Sequence, residues 1–150
     1  MTDFVSKVKE FNEIAGTLEV FDTRKVALYT GLILEEVAEL IEAYIHPELQ
    51  LLWSTIQQEA TNFKNGEYDH CVADIDEVSA LDAAVDISVV SIGLGISLGC
   101  DIAGACNEVA ENNLEKFPVV DGVRVVLRDE NGKVKKPPGY KAVSLERFVH

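Results

Sequence analysis

Acidic side chains are the residues with the clearest chemical potential in this sequence, and they occur in two groups. The first is the segment LEEVAELIEA, which contains Glu35, Glu36, Glu39 and Glu42. The second is SALDAAVDISVV, in which Asp82 and Asp86 are one helical turn apart among apolar neighbours. Carboxylate oxygens are the ligands that Mg²⁺ and Mn²⁺ prefer. Both groups are therefore candidate metal ligands.

The first group has an ordinary explanation when it is taken alone. Glu36 and Glu39 fall on one face of a helix, three residues apart, where like charges repel each other. An exposed helix tolerates that repulsion, so a solvated acidic face is the favoured interpretation of this segment by itself.

The second group changes the balance between the two interpretations. Asp82 and Asp86 lie in a helix whose flanks are almost entirely apolar, and such a helix is expected to be buried on most sides. Buried carboxylates need a compensating cation, and Arg and Lys are scarce nearby. A divalent metal is the simplest alternative.

Two such helices packed antiparallel would bring Glu36, Glu39, Asp82 and Asp86 together as a cage for Mg²⁺, with Mn²⁺ as a substitute and Glu35 at the rim. Such a cage suits phosphoanhydride hydrolysis, because the metal bridges phosphate oxygens while water attacks phosphorus. The sequence has no phosphate-binding P-loop and no Ser-His-Asp set. It also lacks the Glu-x-x-His elements of a di-iron bundle.

The elements that would position these side chains are helices. Apolar residues recur at intervals of three and four in five segments, near residues 3–15, 22–46, 47–65, 75–99 and 101–117. The sequence therefore predicts an all-α bundle of about five helices. Alternation from Val123 to Leu127, a turn at Asp129–Gly132 and an extended piece from Val134 predict a short β-hairpin or irregular tail.

Length and composition indicate one self-sufficient domain. The 150 residues are 47% hydrophobic and 26% charged, which is globular rather than disordered composition. We expect a single domain over residues 1–150, with a helical body over 1–117 and a C-terminal appendage over 118–150. The helices are more apolar than one small bundle can bury, which predicts a homodimer or homotetramer.

The charge and the cysteines restrict the partners and the compartment. A formal net charge of -13 disfavours a nucleic-acid polymer, but a divalent cation can link an acidic pocket to a small phosphorylated ligand. The three cysteines form no metal or disulfide pattern, and the N-terminus does not resemble a secretory signal. The run ISVVSIGLGISLGC is too short for a membrane span. We expect a cytoplasmic protein without a membrane partner.

The two acidic segments and the tail together resemble a known family. EEVAEL, followed by DAAVDISVVSIGLGISLGCD, is similar to the all-α NTP pyrophosphohydrolases of the MazG and phosphoribosyl-ATP pyrophosphohydrolase type. EVAENNLEKF and DENGKVKKPPGY match the last helix and tail of one branch of that superfamily. The resemblance extends from about Val26 to Tyr140.

The resemblance implies an enzyme that cleaves an NTP or dNTP into the monophosphate and pyrophosphate. It implies metal ligation by Glu36, Glu39 and Asp86, and a water-activating role for Glu35. Many members have an acid three residues before the closing aspartate; this chain has Ala83 there and Asp82 one position earlier.

The resemblance also implies substrate contacts near the C-terminus. Asn113 and Lys116 match the Asn and Lys of the last helix, where the lysine would meet phosphate. Without the resemblance, an ordinary helix C-terminus explains this lysine equally well. Lys133, Lys136 and Tyr140 would close over the ligand, or belong to a solvated basic tail.

Two alternative functions remain open from the sequence. One is a non-catalytic helical module that binds nucleotide or protein, and the other is a phosphoribosyl-ATP hydrolase. Trp53 could stack on a base, but an aromatic residue in an apolar helix is more often part of the core. The three histidines receive no role.

Overall fold

The chain is almost entirely helical outside its C-terminal segment, as a computed structural model shows for residues 2–16, 21–128 and 134–149. This confirms the all-α prediction. The described part contains six α-helices: α1 (Thr2–Ile14), α2 (Thr23–Glu42), α3 (Gln50–Asn65), α4 (Asp69–Val72), α5 (Glu77–Ser97) and α6 (Ile102–Leu114).

Four features of the helices differ from the sequence prediction. Helix α2 ends at Glu42 and not near the predicted end at His46. Pro47–Leu49 forms a single 3-10 turn ahead of α3 instead of the first turn of that helix. The polar connection after α3 contains the one-turn helix α4, and α6 ends at Leu114 instead of Phe117. These are errors of one turn, which is the usual uncertainty at helix ends because terminal turns tighten into 3-10 geometry.

The chain divides into two compact units. The first combines Met1–Leu18 with Leu81–His150, and the second is Glu19–Ala80. The prediction of one domain over residues 1–150 stays a prediction.

The second unit is built on the pairing of α2 with α3. Asp22 caps α2, because its carboxylate accepts hydrogen bonds from the amides of Arg24 at 2.9 Å and Lys25 at 3.2 Å. The Arg24 guanidinium donates to the carbonyls of Phe63 and Lys64, which are among the last carbonyls of α3. Residues at the start of α2 therefore stabilise both the N-terminus of α2 and the C-terminus of α3.

Small residues let α2 and α3 approach closely. Ala27, Gly31 and Ala38 are buried on α2, as is Ala60 on α3. A Cβ at Gly31 would lie 2.8 Å from the Ala60 carbonyl oxygen and 2.8 Å from Lys64 Cγ. Only glycine fits there, because these distances are shorter than any ordinary van der Waals contact.

The first unit is centred on α1 and α6. Phe11 and Phe117 pack with ring centroids 4.9 Å apart, and Phe117 is only 1% exposed. Asp101 caps α6 by accepting from the Gly104 amide at 3.0 Å. The core of this unit therefore holds together the N-terminal helix and the last helix.

The C-terminal segment contains a tight hairpin that the sequence analysis missed. Strands β1 (Val119–Val120) and β2 (Val123–Arg124) pair antiparallel around Asp121 and Gly122, both with positive φ. Asp-Gly between valines is a strong signal for such a turn. The predicted turn at Asp129–Gly132 lies outside the described residues, but an antiparallel bridge joins Arg128 and Val134 on either side of it.

Helix α5 contradicts the expectation of a helix buried on most sides. Every residue from Leu81 to Ser91 is exposed, and only Gly95 is buried, against Ile102. By length and composition alone, α5 is also the one helix in the described part of the chain that could cross a membrane. The apolar sequence demands burial that the single chain does not provide.

We predict that Gly31→Ala destabilises the protein. The added methyl group meets the backbone of α3, and such overpacking costs about 1–3 kcal/mol, more than the helix propensity gained. Chemical denaturation should show a lower free energy of unfolding. The control Ser54→Ala, at an exposed position of α3, should change it by less than about 0.5 kcal/mol. An unchanged Gly31→Ala variant would contradict the close helix contact.

Candidate active site

The carboxylates of the first acidic group lie along α2 in the second unit. Glu35 follows Gly31 by one turn, beside the contact with α3, and is half-buried. Glu36 and Glu39 are exposed farther round the helix. Glu36 and Glu39 are three residues apart on α2, so helical geometry puts them on one face, as predicted. Together with Glu35 they give α2 three carboxylates within little more than one turn.

Glu35 is held by a partner that the sequence did not reveal. Its Oε1 accepts from Lys64 Nζ at 2.6 Å, and both side chains are partly buried. The stem of Lys64 runs across Gly31, so the missing Cβ leaves room for the lysine that pairs with Glu35. The pair with Lys64 fixes the position of the Glu35 carboxylate. A carboxylate that orients a water molecule has to be held in place in this way. No local pattern connects two residues this far apart.

Glu59 is a further carboxylate that the sequence analysis passed over. It lies on α3 and accepts from the Tyr68 hydroxyl at 2.6 Å and from the Asn62 amide at 3.3 Å. The bond to Glu59 is the main reason why the pKa of Tyr68 lies above its ordinary value. Glu59 also lines an apolar groove of about 440 Å³ with Leu34 and Phe63.

The second acidic group lies on α5 in the first unit. Asp82 and Asp86 are exposed, as are all their neighbours from Leu81 to Ser91. In the single chain, water reaches both carboxylates, and the argument that their burial requires a cation therefore does not hold. Their spacing of one turn is confirmed, and it still permits both to bind one cation.

The predicted substrate residues of the last helix lie at its C-terminal end. Asn113 and Lys116 are half-buried, and the Lys116 amide donates to the Asn113 carbonyl at 3.2 Å. Lys116 Nζ lies 5.8 Å from the centroid of the Phe11 ring, within range of a cation–π interaction. The lysine therefore sits beside the core of the first unit.

The tail is attached to α6 through Asn112, a residue that the sequence analysis did not select. The Tyr140 hydroxyl donates to Asn112 Oδ1 at 2.6 Å, and Asn112 Nδ2 donates to the Lys141 carbonyl at 2.8 Å. Burial, and then the charge of Glu115, raise the pKa of Tyr140. Lys136 is exposed, with Nζ 5.5 Å from the Tyr140 ring centroid. Lys133 lies outside the described residues.

Trp53 is half-buried, in keeping with a packing role. It lines an apolar groove of about 480 Å³ with Ile41, Ile45 and Leu49. Within the described chain its indole N–H is buried and has no hydrogen-bond acceptor.

The predicted ligands are divided between the two units. Glu36 and Glu39 belong to the second unit, and Asp82 and Asp86 to the first. Over residues 2–16, 21–128 and 134–149, no three His, Cys, Asp or Glu side chains form a group that could hold a metal ion. Each unit therefore supplies a carboxylate pair with suitable chemistry but not a complete ligand set.

Comparison with known proteins identifies no relative. The chain matches no protein-family model, no curated protein and no solved structure. The resemblance to the pyrophosphohydrolases rests on the residues and motifs described above.

We predict that the Glu35–Lys64 pair contributes modestly to stability. Because both groups are partly solvated, a double-mutant cycle with Glu35→Gln and Lys64→Met should give a coupling free energy of about 0.2–1 kcal/mol that falls as salt is added. A coupling near zero at low salt would show that the pair does not persist in solution.

We predict that Tyr140→Phe loosens the tail. Tyr140 has a raised pKa, so the stabilisation it gives is present below pH 10, the ordinary tyrosine pKa, and is lost as the pH rises through the folded-state value. The variant should lose one late step in the alkaline absorbance titration and should be cleaved faster by trypsin after Lys141. The control Tyr68→Phe should also lose a late step, but without faster cleavage. Equal cleavage of Tyr140→Phe and wild type would argue against the Asn112 contact.

Proposed function

We propose that the chain is a Mg²⁺-dependent nucleoside triphosphate pyrophosphohydrolase of the all-α type, cleaving an NTP or dNTP to the monophosphate and pyrophosphate. The observation that carries the proposal is the triplet Glu35, Glu36 and Glu39 on α2, combined with the one-turn pair Asp82 and Asp86 on a second long helix. Two helical carboxylate groups of this spacing are the donor set that a phosphoanhydride hydrolase needs.

The donor chemistry fits magnesium. Glu36, Glu39, Asp82 and Asp86 offer only hard oxygen donors, which Mg²⁺ and Mn²⁺ prefer over the nitrogen and sulfur ligands typical of zinc sites. When bound, the metal would supply charge neutralisation on the phosphate oxygens and polarisation of the bond that breaks. A chain with net charge -13 needs such a cation before it can receive a triphosphate.

Glu35 is the proposed residue for water activation. Its carboxylate keeps one oxygen on Lys64, at 2.6 Å, which leaves the other oxygen to accept a hydrogen bond from water. A carboxylate fixed in this way orients the water toward phosphorus and takes its proton during attack. Glu36 assists as a metal ligand in the same proposal.

The substrate contacts are proposed for the C-terminal part of the chain. Lys116 would neutralise phosphate charge, Asn113 would hydrogen-bond the sugar or the metal-bound network, and Lys136 with Tyr140 would cover the ligand. The Tyr140–Asn112 bond holds this tail in a defined place, in support of a contact role. Small-molecule nucleotides are thus the proposed partners, and neither nucleic-acid polymers nor membranes are.

The proposed setting is the cytoplasm. All three cysteines are free thiols in the structure, which suits a reducing compartment.

Two rival functions stay in view. A non-catalytic nucleotide- or protein-binding module is favoured by the exposure of Asp82 and Asp86 and by the absence of a metal-sized ligand group in the described chain. A phosphoribosyl-ATP hydrolase would use the same carboxylates. Pyrophosphate release from a nucleotide distinguishes the proposed hydrolase from the binding module. A comparison of nucleoside triphosphates with phosphoribosyl-ATP as substrates distinguishes it from the phosphoribosyl-ATP hydrolase.

We predict metal-dependent pyrophosphate release from at least one triphosphate. The assay tests ribo- and deoxyribonucleoside triphosphates and phosphoribosyl-ATP with Mg²⁺, with Mn²⁺ and with chelator. Glu39→Gln should lower kcat/KM by at least about 10- to 100-fold, the loss that even outer-shell changes at metal sites cause. The matched control Glu42→Gln removes another exposed carboxylate from the same helix and should retain activity.

Two results would count against the hydrolase. If the wild type binds triphosphates but releases no pyrophosphate with either metal, the binding module is the better account. If Glu39→Gln and Glu42→Gln behave alike, the α2 carboxylates do not act as the specific ligands proposed.

A further inference from the structure

The turn that follows α6 is held by an arginine of the C-terminal hairpin. α6 ends at Leu114, three residues before Phe117. Arg124 Nη1 donates to the carbonyl of Leu114 at 2.7 Å and to the carbonyl of Phe117 at 3.4 Å. The last carbonyls of a helix have no i+4 amide to bind them, and a cation there opposes the negative end of the helix dipole. Arg124 therefore stabilises the C-terminus of α6 and the turn beyond it.

The tight hairpin is what brings this arginine back to the helix. Asp121 and Gly122 have φ values of 52° and 82°, the left-handed backbone that a two-residue hairpin turn of this kind requires. The turn pairs Arg124 with Val119 in the antiparallel register. The chain thus reverses shortly after α6 ends, and the reversal returns Arg124 to the end of that helix.

Lys116 lies within the short segment whose two ends Arg124 binds. Leu114, two residues before the lysine, and Phe117, directly after it, are only 6% and 1% exposed. The Lys116 amide itself donates to the Asn113 carbonyl at 3.2 Å. The backbone on both sides of the lysine is therefore fixed. Because the allowed rotamers of a side chain depend on its backbone angles, this restricts the directions that the Lys116 side chain can take.

A further contact ties Arg124 to the N-terminal helix. Arg124 Nε lies 3.9 Å from Glu10 Oε1 on α1. The next residue of α1, Phe11, packs on Phe117 with ring centroids 4.9 Å apart, and Lys116 Nζ lies 5.8 Å from the centroid of the same Phe11 ring. Arg124 thus joins the hairpin, the end of α6 and α1 around the turn that carries the lysine.

We propose that Arg124 is a positioning residue for Lys116, which it holds in place for contact with the phosphates of the substrate. Arg124 acts through the lysine and does not itself touch the substrate. A lysine is a point charge on a flexible stem, so fixing the backbone that carries it lowers the entropy lost when it binds phosphate. The inference rests on the proposed function, because that function supplies the phosphate contact of Lys116.

The test is a double-mutant cycle in the pyrophosphate-release assay. Arg124→Gln should lower kcat/KM by roughly 10- to 100-fold, because a misplacement of about 1 Å can cost this much. The double variant with Lys116→Met should lose no more than about twofold beyond Lys116→Met alone, since no lysine is left to position. Arg124→Lys keeps the charge without the planar guanidinium, and it should recover only part of the loss.

Arg128→Gln is the matched control, because Arg128 Nη2 also ties the C-terminal segment to a carbonyl, that of Ala15, at 2.8 Å. It should lower the midpoint of chemical denaturation but leave kcat/KM within about twofold of the wild type. Amide hydrogen exchange supplies a readout that needs no activity. The amides of Lys116 and Phe117 should exchange roughly tenfold faster in Arg124→Gln, as expected for one lost hydrogen bond, and should be unchanged in Arg128→Gln.

Several results would overturn the positioning role. An active wild type whose Arg124→Gln variant is equally active, or losses that multiply in the double variant, would overturn it and leave the hydrolase intact. Faster exchange with unchanged kcat/KM would show that Arg124 only stabilises the helix end. A wild type that binds triphosphate with Mg²⁺ but does not cleave it would overturn the hydrolase alone, and the same cycle in the dissociation constant would decide the role of Arg124. A wild type that neither binds nor cleaves triphosphate would remove both proposals.

Discussion

The close approach of α2 and α3 at Gly31 is the constraint on which the second unit depends. Because no Cβ separates the helices, the Ala60 backbone and the Lys64 stem lie directly against α2. The same contact places Lys64 Nζ on Glu35. One glycine thus links the packing of the unit with the orientation of a carboxylate that could orient water.

Charge compensation is distributed unevenly over this acidic protein. Glu35 has Lys64, and Glu111 and Asp3 share Lys7 at 2.7 Å each. Asp82 and Asp86, in contrast, lie on an exposed stretch of α5 without a basic residue on that helix. A cation bound to these carboxylates would relieve their mutual repulsion. Without a bound cation, only water and dissolved salt screen that repulsion.

The exposure of α5 connects the questions of assembly and function. An apolar helix with two carboxylates makes sense if it is covered by protein that also meets the charges. The single chain buries almost none of it.

The sequence by itself determined the helical class, the approximate helices and the spacing of both carboxylate groups, because each depends on the local 3.6-residue period. It also contained the Asp121–Gly122 hairpin signal, which was overlooked. Only the tertiary structure revealed the Glu35–Lys64 and Tyr140–Asn112 pairs, because each joins residues about 30 positions apart, and no local pattern specifies such contacts. It also decided that α5 is exposed, since burial depends on which neighbours the fold supplies and not on the hydrophobicity of the helix alone.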